Sequence, residues 1–110
     1  MWRLIFHKYN IFFSVNIIKM LAYLVEAVGT FILLAVILNA SSFGNMAPLT
    51  IGLALTVAIA IGGAVSGGHF NPVVTLVMFL KNQVSQNDAL LYVAAQVVGA
   101  VAAQQMKKLL

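Results

Sequence analysis

A chain of 110 residues that is 63% hydrophobic and only 7% charged is not an ordinary soluble domain, which would carry roughly a quarter charged residues. Its length allows one small bundle and no second domain. The net charge of +4 is carried by Arg3, Lys8, Lys19, Lys81, Lys107 and Lys108, each at the edge of an apolar run. That placement suits lipid headgroups and lacks the aromatic-interleaved basic stripe that nucleic acid would require. With no cysteine, disulfide and thiolate chemistry are excluded.

Residues 1–19 (MWRLIFHKYNIFFSVNIIK) open on an apolar run that Ser14 and Asn16 interrupt. No small-residue cleavage site follows, so no secretory signal is read there. An interfacial helix is expected, with a disordered tail or a true start at Met20 as alternatives. A first span is expected over residues 20–38, apolar apart from Glu26. The uncharged stretch 39–48 (NASSFGNMAP) reads as a loop. A second span over 49–65 is rich in Gly and Ala, which suits close helix packing. Residues 81–88 (KNQVSQND) read as a polar loop, with Asn87 or Asp88 capping the next helix. A third span over 89–106 ends in Lys107 and Lys108, which can snorkel to the interface.

Between the second and third spans lies the most informative stretch, residues 66–75 (SGGHFNPVVT). Asn is a strong helix N-cap and Pro is favoured at the first helical position, so Asn71-Pro72 starts a helix. That helix stops at Lys81, giving an element over 71–80 that reaches about 13 Å, less than half of a ~30 Å hydrocarbon core. A half-length apolar helix behind unwound Gly-rich backbone is how membrane pores and transporters set a polar path at mid-membrane. Residues 66–80 are therefore read as a re-entrant pore element. A structural capping turn in an inert protein is the plain alternative.

The remaining polar residues are weighed one by one. Glu26 is the only acid inside a span and needs a partner, because a buried carboxylate costs at least a few kcal/mol. His69 is a poor metal ligand, with no cysteine and no second ligand at a suitable spacing. It reads as a hydrogen-bonded wall residue, and neither a metal nor a cofactor is expected. No nucleophile and base, phosphate loop or paired carboxylates appear, so the chain is not read as an enzyme.

Three motifs occur in order across the three spans: Glu26-Ala27-Val28-Gly29-Thr30-Phe31, then Ser66-Gly67-Gly68-His69-Phe70-Asn71-Pro72, then Tyr92, Gln96, Gly99 and Ala100. Together they resemble the N-terminal half of the aquaporin and aquaglyceroporin family (major intrinsic proteins) over about residues 20–106. The resemblance implies an all-α membrane fold: half of an aquaporin-like bundle, with three transmembrane helices and one re-entrant half-helix. It implies a passive channel for water or small neutral solutes such as glycerol. Asn71, Pro72, Val73, Gly67, Gly68, His69 and Ile51 would line the pore or set its selectivity. Glu26 and Gln96 would brace the loop, with proton transfer as the alternative role for Glu26.

Two departures stand out. Val73 occupies a position where the family usually has Ala, and Ile51 falls where water-selective members usually carry Phe or His. An aliphatic side chain there implies a wider, less polar constriction. The second half of the family pattern, with its own Asn-Pro-Ala loop and constriction Arg, does not follow in these residues. The expectation is a channel half completed by an inverted copy of itself or by a separate chain. A truncated non-conducting fragment and a small modulator of a full-length channel are the alternatives. Basic residues Arg3, Lys8, Lys19 and Lys81 on one side against Lys107 and Lys108 on the other favour a cytoplasmic N-terminus. Counted from Met20 the bias nearly vanishes, which eases dual insertion.

Overall fold

The computed structural model describes residues 1–110, which form helices and connecting turns without a strand. The order is α1 (Trp2–Leu38), a short 3-10 segment (Ala40–Met46), α2 (Ala47–Ser66), α3 (Pro72–Leu80) and α4 (Gln86–Leu109). Three stretches, Trp2–Leu38, Ala40–Ser66 and Gln86–Leu109, are long and apolar enough to cross a bilayer. With nine residues, α3 is not.

The hub of the bundle is α1. The backbones of α2 and α4 approach its sides without approaching each other, while α3 rests on α4 alone. Each long helix turns one narrow stripe inward. These are Ala22, Glu26, Gly29 and Thr30 on α1, Ala54, Ala58, Gly62 and Ser66 on α2, and Tyr92, Gln96, Gly99 and Ala103 on α4. Spacings of three and four residues keep each set on one helical face. Most of these residues are small, which allows the close backbone approach that membrane helices depend on. Gly99 marks the tightest crossing: a Cβ there would run into the Ala27 carbonyl oxygen and come within 3.1 Å of the Phe31 nitrogen. Only 15 of 110 residues are buried, so most apolar side chains face outward, a surface that lipid accepts.

Polar contacts pin α1 and α4 in parallel at both ends. At one end the Tyr23 hydroxyl donates to Asp88 Oδ1 (2.6 Å), and Lys19 Nζ lies 3.4 Å from Asp88 Oδ2. At the other, Lys107 Nζ donates to Asn39 Oδ1 (2.6 Å). Lys19 to Asn39 and Asp88 to Lys107 each cover about 20 residues, or about 30 Å of helix, close to the hydrocarbon thickness. Between them α2 runs back toward the Lys19 end, where its last carbonyl, on Ser66, accepts from the Tyr92 hydroxyl (2.7 Å). The chain then turns inward, and α3 returns to the same end before α4 begins.

Local signals explain the element ends. Asn71 caps α3, its Oδ1 accepting from the Val73 N–H (2.8 Å), with Pro72 in the first turn. At its other end Asn82 adopts φ 58°, its N–H bonds the Phe79 carbonyl and the Gln83 N–H bonds the Met78 carbonyl (both 2.9 Å). This is a Schellman stop built on Asn. The cap of α4 is Ser85, not Asn87 or Asp88: its Oγ accepts from the Asp88 N–H (3.1 Å) and donates to Asp88 Oδ2 (2.9 Å). Asp88 is thus tied to the cap through both its N–H and its side chain. Residues 1–19 do not form a separate element: α1 continues through Met20 without a break. No proline interrupts it, and residues 1–21 are exposed throughout.

The Gly99 crossing yields a test. Gly99→Val should cost ~1–3 kcal/mol or more through overpacking against α1. Gly52→Ala, at a position where an added Cβ meets nothing within 4 Å, should cost little. Thermal unfolding in detergent, followed by helical circular dichroism, compares the two. Coincident melting would show that close approach at Gly99 does not hold α1 to α4.

Candidate functional site

The loop from Ser66 to Asn71 is contorted. Gly67 ends α2 in a left-handed conformation (φ 88°, its N–H bonded to the Gly63 carbonyl at 2.8 Å), and Gly68 follows at φ 65°. These angles favour residues without a Cβ. Phe70 also has positive φ, 49°, which is costly for an aromatic residue. Two things hold it there. Its N–H donates to Glu26 Oε2 (2.7 Å), and its ring, 2% exposed, fills the space above Gly29. A Cβ on Gly29 would collide with that ring, so Gly29 and Phe70 are one packing unit.

Glu26 is fully buried and serves donors from three elements. Its Oε1 accepts from Ser66 Oγ (2.7 Å) and the His69 N–H (2.9 Å), and its Oε2 from the Phe70 N–H (2.7 Å) and Gln96 Nε2 (2.9 Å). Gln96 Nε2 also reaches Thr75 Oγ1 (2.9 Å), which lies 3.0 Å from His69 Nδ1 and 3.3 Å from the Asn71 carbonyl. The His69 ring is tilted against Tyr92, with centroids 5.0 Å apart. The network thus joins α1, the loop, the first turn of α3 and α4.

The structure sorts the sequence candidates into two groups. Glu26, His69 and Gln96 are interior and mutually connected. Gly67, Asn71, Pro72 and Val73 are exposed, and Gly68 is half-buried between them and the interior. Ile51, half-buried near the start of α2, belongs to neither group. Sequence reasoning gave no role to the side chains of Thr75, Tyr92, Ser66 or Phe70. The helical spacing of four residues between Tyr92 and Gln96 was the available signal for Tyr92. Counting along α4, Asn71 and Pro72 lie level with Val97 and Ala100, about 14–18 Å in from Asp88, near mid-membrane. No three His, Asp or Glu side chains converge.

The profile of the family described as Major intrinsic protein matches residues 16–110, and the chain belongs to that family. It is an integral membrane protein. It is 39% identical over 90 residues to Glycerol uptake facilitator protein-like 6 of Lactiplantibacillus plantarum, covering 78% of this chain and 42% of that protein. It is 32% identical over 96 residues to Aquaglyceroporin AqpS of Rhizobium meliloti, covering 77% and 41%. It is 43% identical over 70 residues to human Aquaporin-5, covering 58% and 26%. The chain therefore spans less than half the length of these relatives, in their N-terminal portion. No solved structure matches it.

All four partners of Glu26 are donors, which defines the next test. Glu26→Ala should orphan two backbone N–H groups, at ~1–3 kcal/mol each. Glu26→Gln keeps one acceptor oxygen but sets an NH2 against two further donors, so it should fall between Ala and the parent chain. Yield of folded protein and thermal midpoint in detergent provide the ranking. An Ala variant as stable as the parent would mean that the loop does not depend on this carboxylate.

Proposed function

We propose that this chain is one half of a passive channel for water or small neutral solutes such as glycerol, with Asn71 at the centre of the path. The observation that carries this reading is the exposed Asn71 at the mid-membrane start of α3, on a loop tied to Glu26. Its Oδ1 is taken by the Val73 N–H, which leaves the side-chain NH2 to donate to a passing oxygen. The positive end of α3 opposes a cation at the same point. Aquaporin-type pores are selective through such half-helix ends, together with pore diameter and lining hydrogen-bond groups. In this reading the carbonyls of Gly67, Gly68 and His69 form one wall, and Glu26 and Gln96 hold it in place. Ile51 makes an aliphatic constriction that suits glycerol-sized solutes, in keeping with the names of two of the relatives.

A single half-helix supplies a wall for only half of the bilayer. The other half needs a second repeat in inverted orientation, and a second copy of this chain would supply one. The bare face of α3, with Val73 (66% exposed), Leu76, Val77 and Leu80, supports such a partner. Val73, beside Asn71, would meet the partner's half-helix. The cytoplasmic side would hold the N-terminus and Lys81.

Two experiments follow. Single cysteines at Ser42 and Asn82, labelled from each side of sealed vesicles, should react from opposite sides, with Asn82 cytoplasmic in the majority orientation. Labelling of both from one side would rule out the three-span arrangement. In stopped-flow swelling of liposomes, paired halves should raise water flux above that of empty liposomes. Val73→Trp should abolish that flux and Val73→Ala should keep or increase it. A confirmed dimer without flux would eliminate the conducting homodimer. It would leave a channel whose second repeat is not a copy of this chain, a silent fragment or a modulator.

A further inference from the structure

The bundle ends near Lys19 and Asp88, but α1 does not. Residues 2–18 carry it ~25 Å further, and the long dimension of the molecule, 65 Å, is more than twice the ~30 Å hydrocarbon thickness. Every residue of this extension is exposed, so packing does not fix its direction. The family profile begins at residue 16, and family membership does not account for what precedes it. The side chains fall in stripes. Arg3, His7, Asn10 and Ser14, spaced four, three and four residues apart, share one narrow face. Trp2, Phe6, Tyr9 and Phe13 repeat that spacing on the adjoining face. Trp2 is 71% and Tyr9 69% exposed. In water so much contiguous apolar surface calls for a covering, and Trp and Tyr are the residues that settle at headgroup level.

Charge selects the covering. Arg3, Lys8 and Lys19 are positive, and the first acid of the chain is Glu26. Two extensions side by side would set like charges together, and copies in inverted orientation hold their extensions on opposite faces of the bilayer. An anionic headgroup layer complements the charge. It begins where Lys19 leaves the bundle, and it continues the lipid-facing surface of α1. We propose that residues 2–13 lie along an anionic lipid surface, with Trp2, Phe6, Tyr9 and Phe13 toward the acyl chains and Arg3 and Lys8 on the headgroup charges. The unbroken helix must bend to reach that surface. Ser14 and Asn16, whose side chains compete for backbone hydrogen bonds, place the bend just before Lys19. It gives up the bonds of about one turn and takes a row of large apolar side chains out of water. Lys8 lies off the polar stripe and reaches the headgroups by snorkelling.

The test uses the full chain in lipid nanodiscs. These expose both faces, so the outcome depends neither on insertion direction nor on whether the chain conducts. Trp2 is the only tryptophan, and its fluorescence reports the extension alone. The discs are made of phosphatidylcholine, or of an equal mixture with phosphatidylglycerol, each with and without bromine on the acyl chains. In the mixture Trp2 should emit to the blue, be quenched by brominated chains and be severalfold less open to acrylamide than in phosphatidylcholine. Arg3→Gln combined with Lys8→Gln should return these values toward those in phosphatidylcholine, with helical circular dichroism showing that the bundle stays folded. Trp2 open to acrylamide and untouched by bromine in the mixture overturns the proposal, because the extension then projects into water. Bromine quenching that is equal in the two lipids, or unchanged in the double variant, also overturns it, since the basic residues then select nothing. Protection from both quenchers overturns it in favour of a second copy as the covering.

Discussion

A carboxylate in the interior of an apolar bundle must be given donors, and Glu26 obtains them from backbone that no regular helix can offer. In lipid a charged side chain at mid-membrane costs ~2.5–3.5 kcal/mol or more. Helical N–H groups are already committed to their own carbonyls. The free N–H groups of His69 and Phe70 are available because Gly67 and Gly68 have ended α2 and turned the chain inward. The same contacts oblige Phe70 to hold positive φ, and its ring then requires Gly29 to be bare. Unwound loop, strained Phe70, small residue on α1 and the position of α3 are thus coupled to one side chain. Gln96 closes the arrangement from α4 and carries it to Thr75 in the first turn of the half-helix.

This inverts the usual distribution of polarity. The six buried polar or charged residues, Glu26, Thr30, Ser66, His69, Thr75 and Gln96, equal in number the six buried hydrophobic ones. Leucines, valines and isoleucines cover the outside. Hydrophobic burial cannot drive helix association in lipid, so packing of small residues and interior hydrogen bonds must. Gly99 against the α1 backbone supplies the first, and the Glu26 network supplies the second. Most of the exposed apolar surface needs only lipid. The bare face of α3 is different in kind, because it belongs to a half-helix that does not reach across the bilayer.

The parts of this arrangement that were legible in the sequence are those with local causes. Asn71-Pro72 announces a helix start through cap chemistry alone, and its length sets it apart from the spans. Glu26 stood out as the one acid in an apolar run. The cap of α4 was misplaced because Asp88, Asn87 and Ser85 are all good capping residues. Only geometry distinguishes the cap, Ser85, from the Asp88 side chain that its hydroxyl bonds. Phe70 and Thr75 were illegible for another reason: their roles depend on Gly29 and Gln96, 41 and 21 positions away in sequence. The continuity of α1 through Met20 follows from the lack of any breaker, which compositional reading of residues 1–19 had weighed less than their polar interruptions.

The first turn of α3 shows how the fold limits what a solute could bind. A helix start ordinarily presents several unsatisfied N–H groups and so attracts and retains anions. Pro72 has no N–H, and that of Val73 is taken by Asn71 Oδ1 (2.8 Å). The Thr75 N–H already bonds the Asn71 carbonyl (3.0 Å). Among these residues only the N–H of Val74 and the Asn71 amide are left to face outward. The dipole of α3 persists while its donors are mostly withdrawn. In the proposed channel that combination opposes a cation through the field yet offers a neutral oxygen too few bonds to be trapped. Conduction requires binding weak enough to leave, and Asn-Pro at a half-helix start meets that requirement with two adjacent residues.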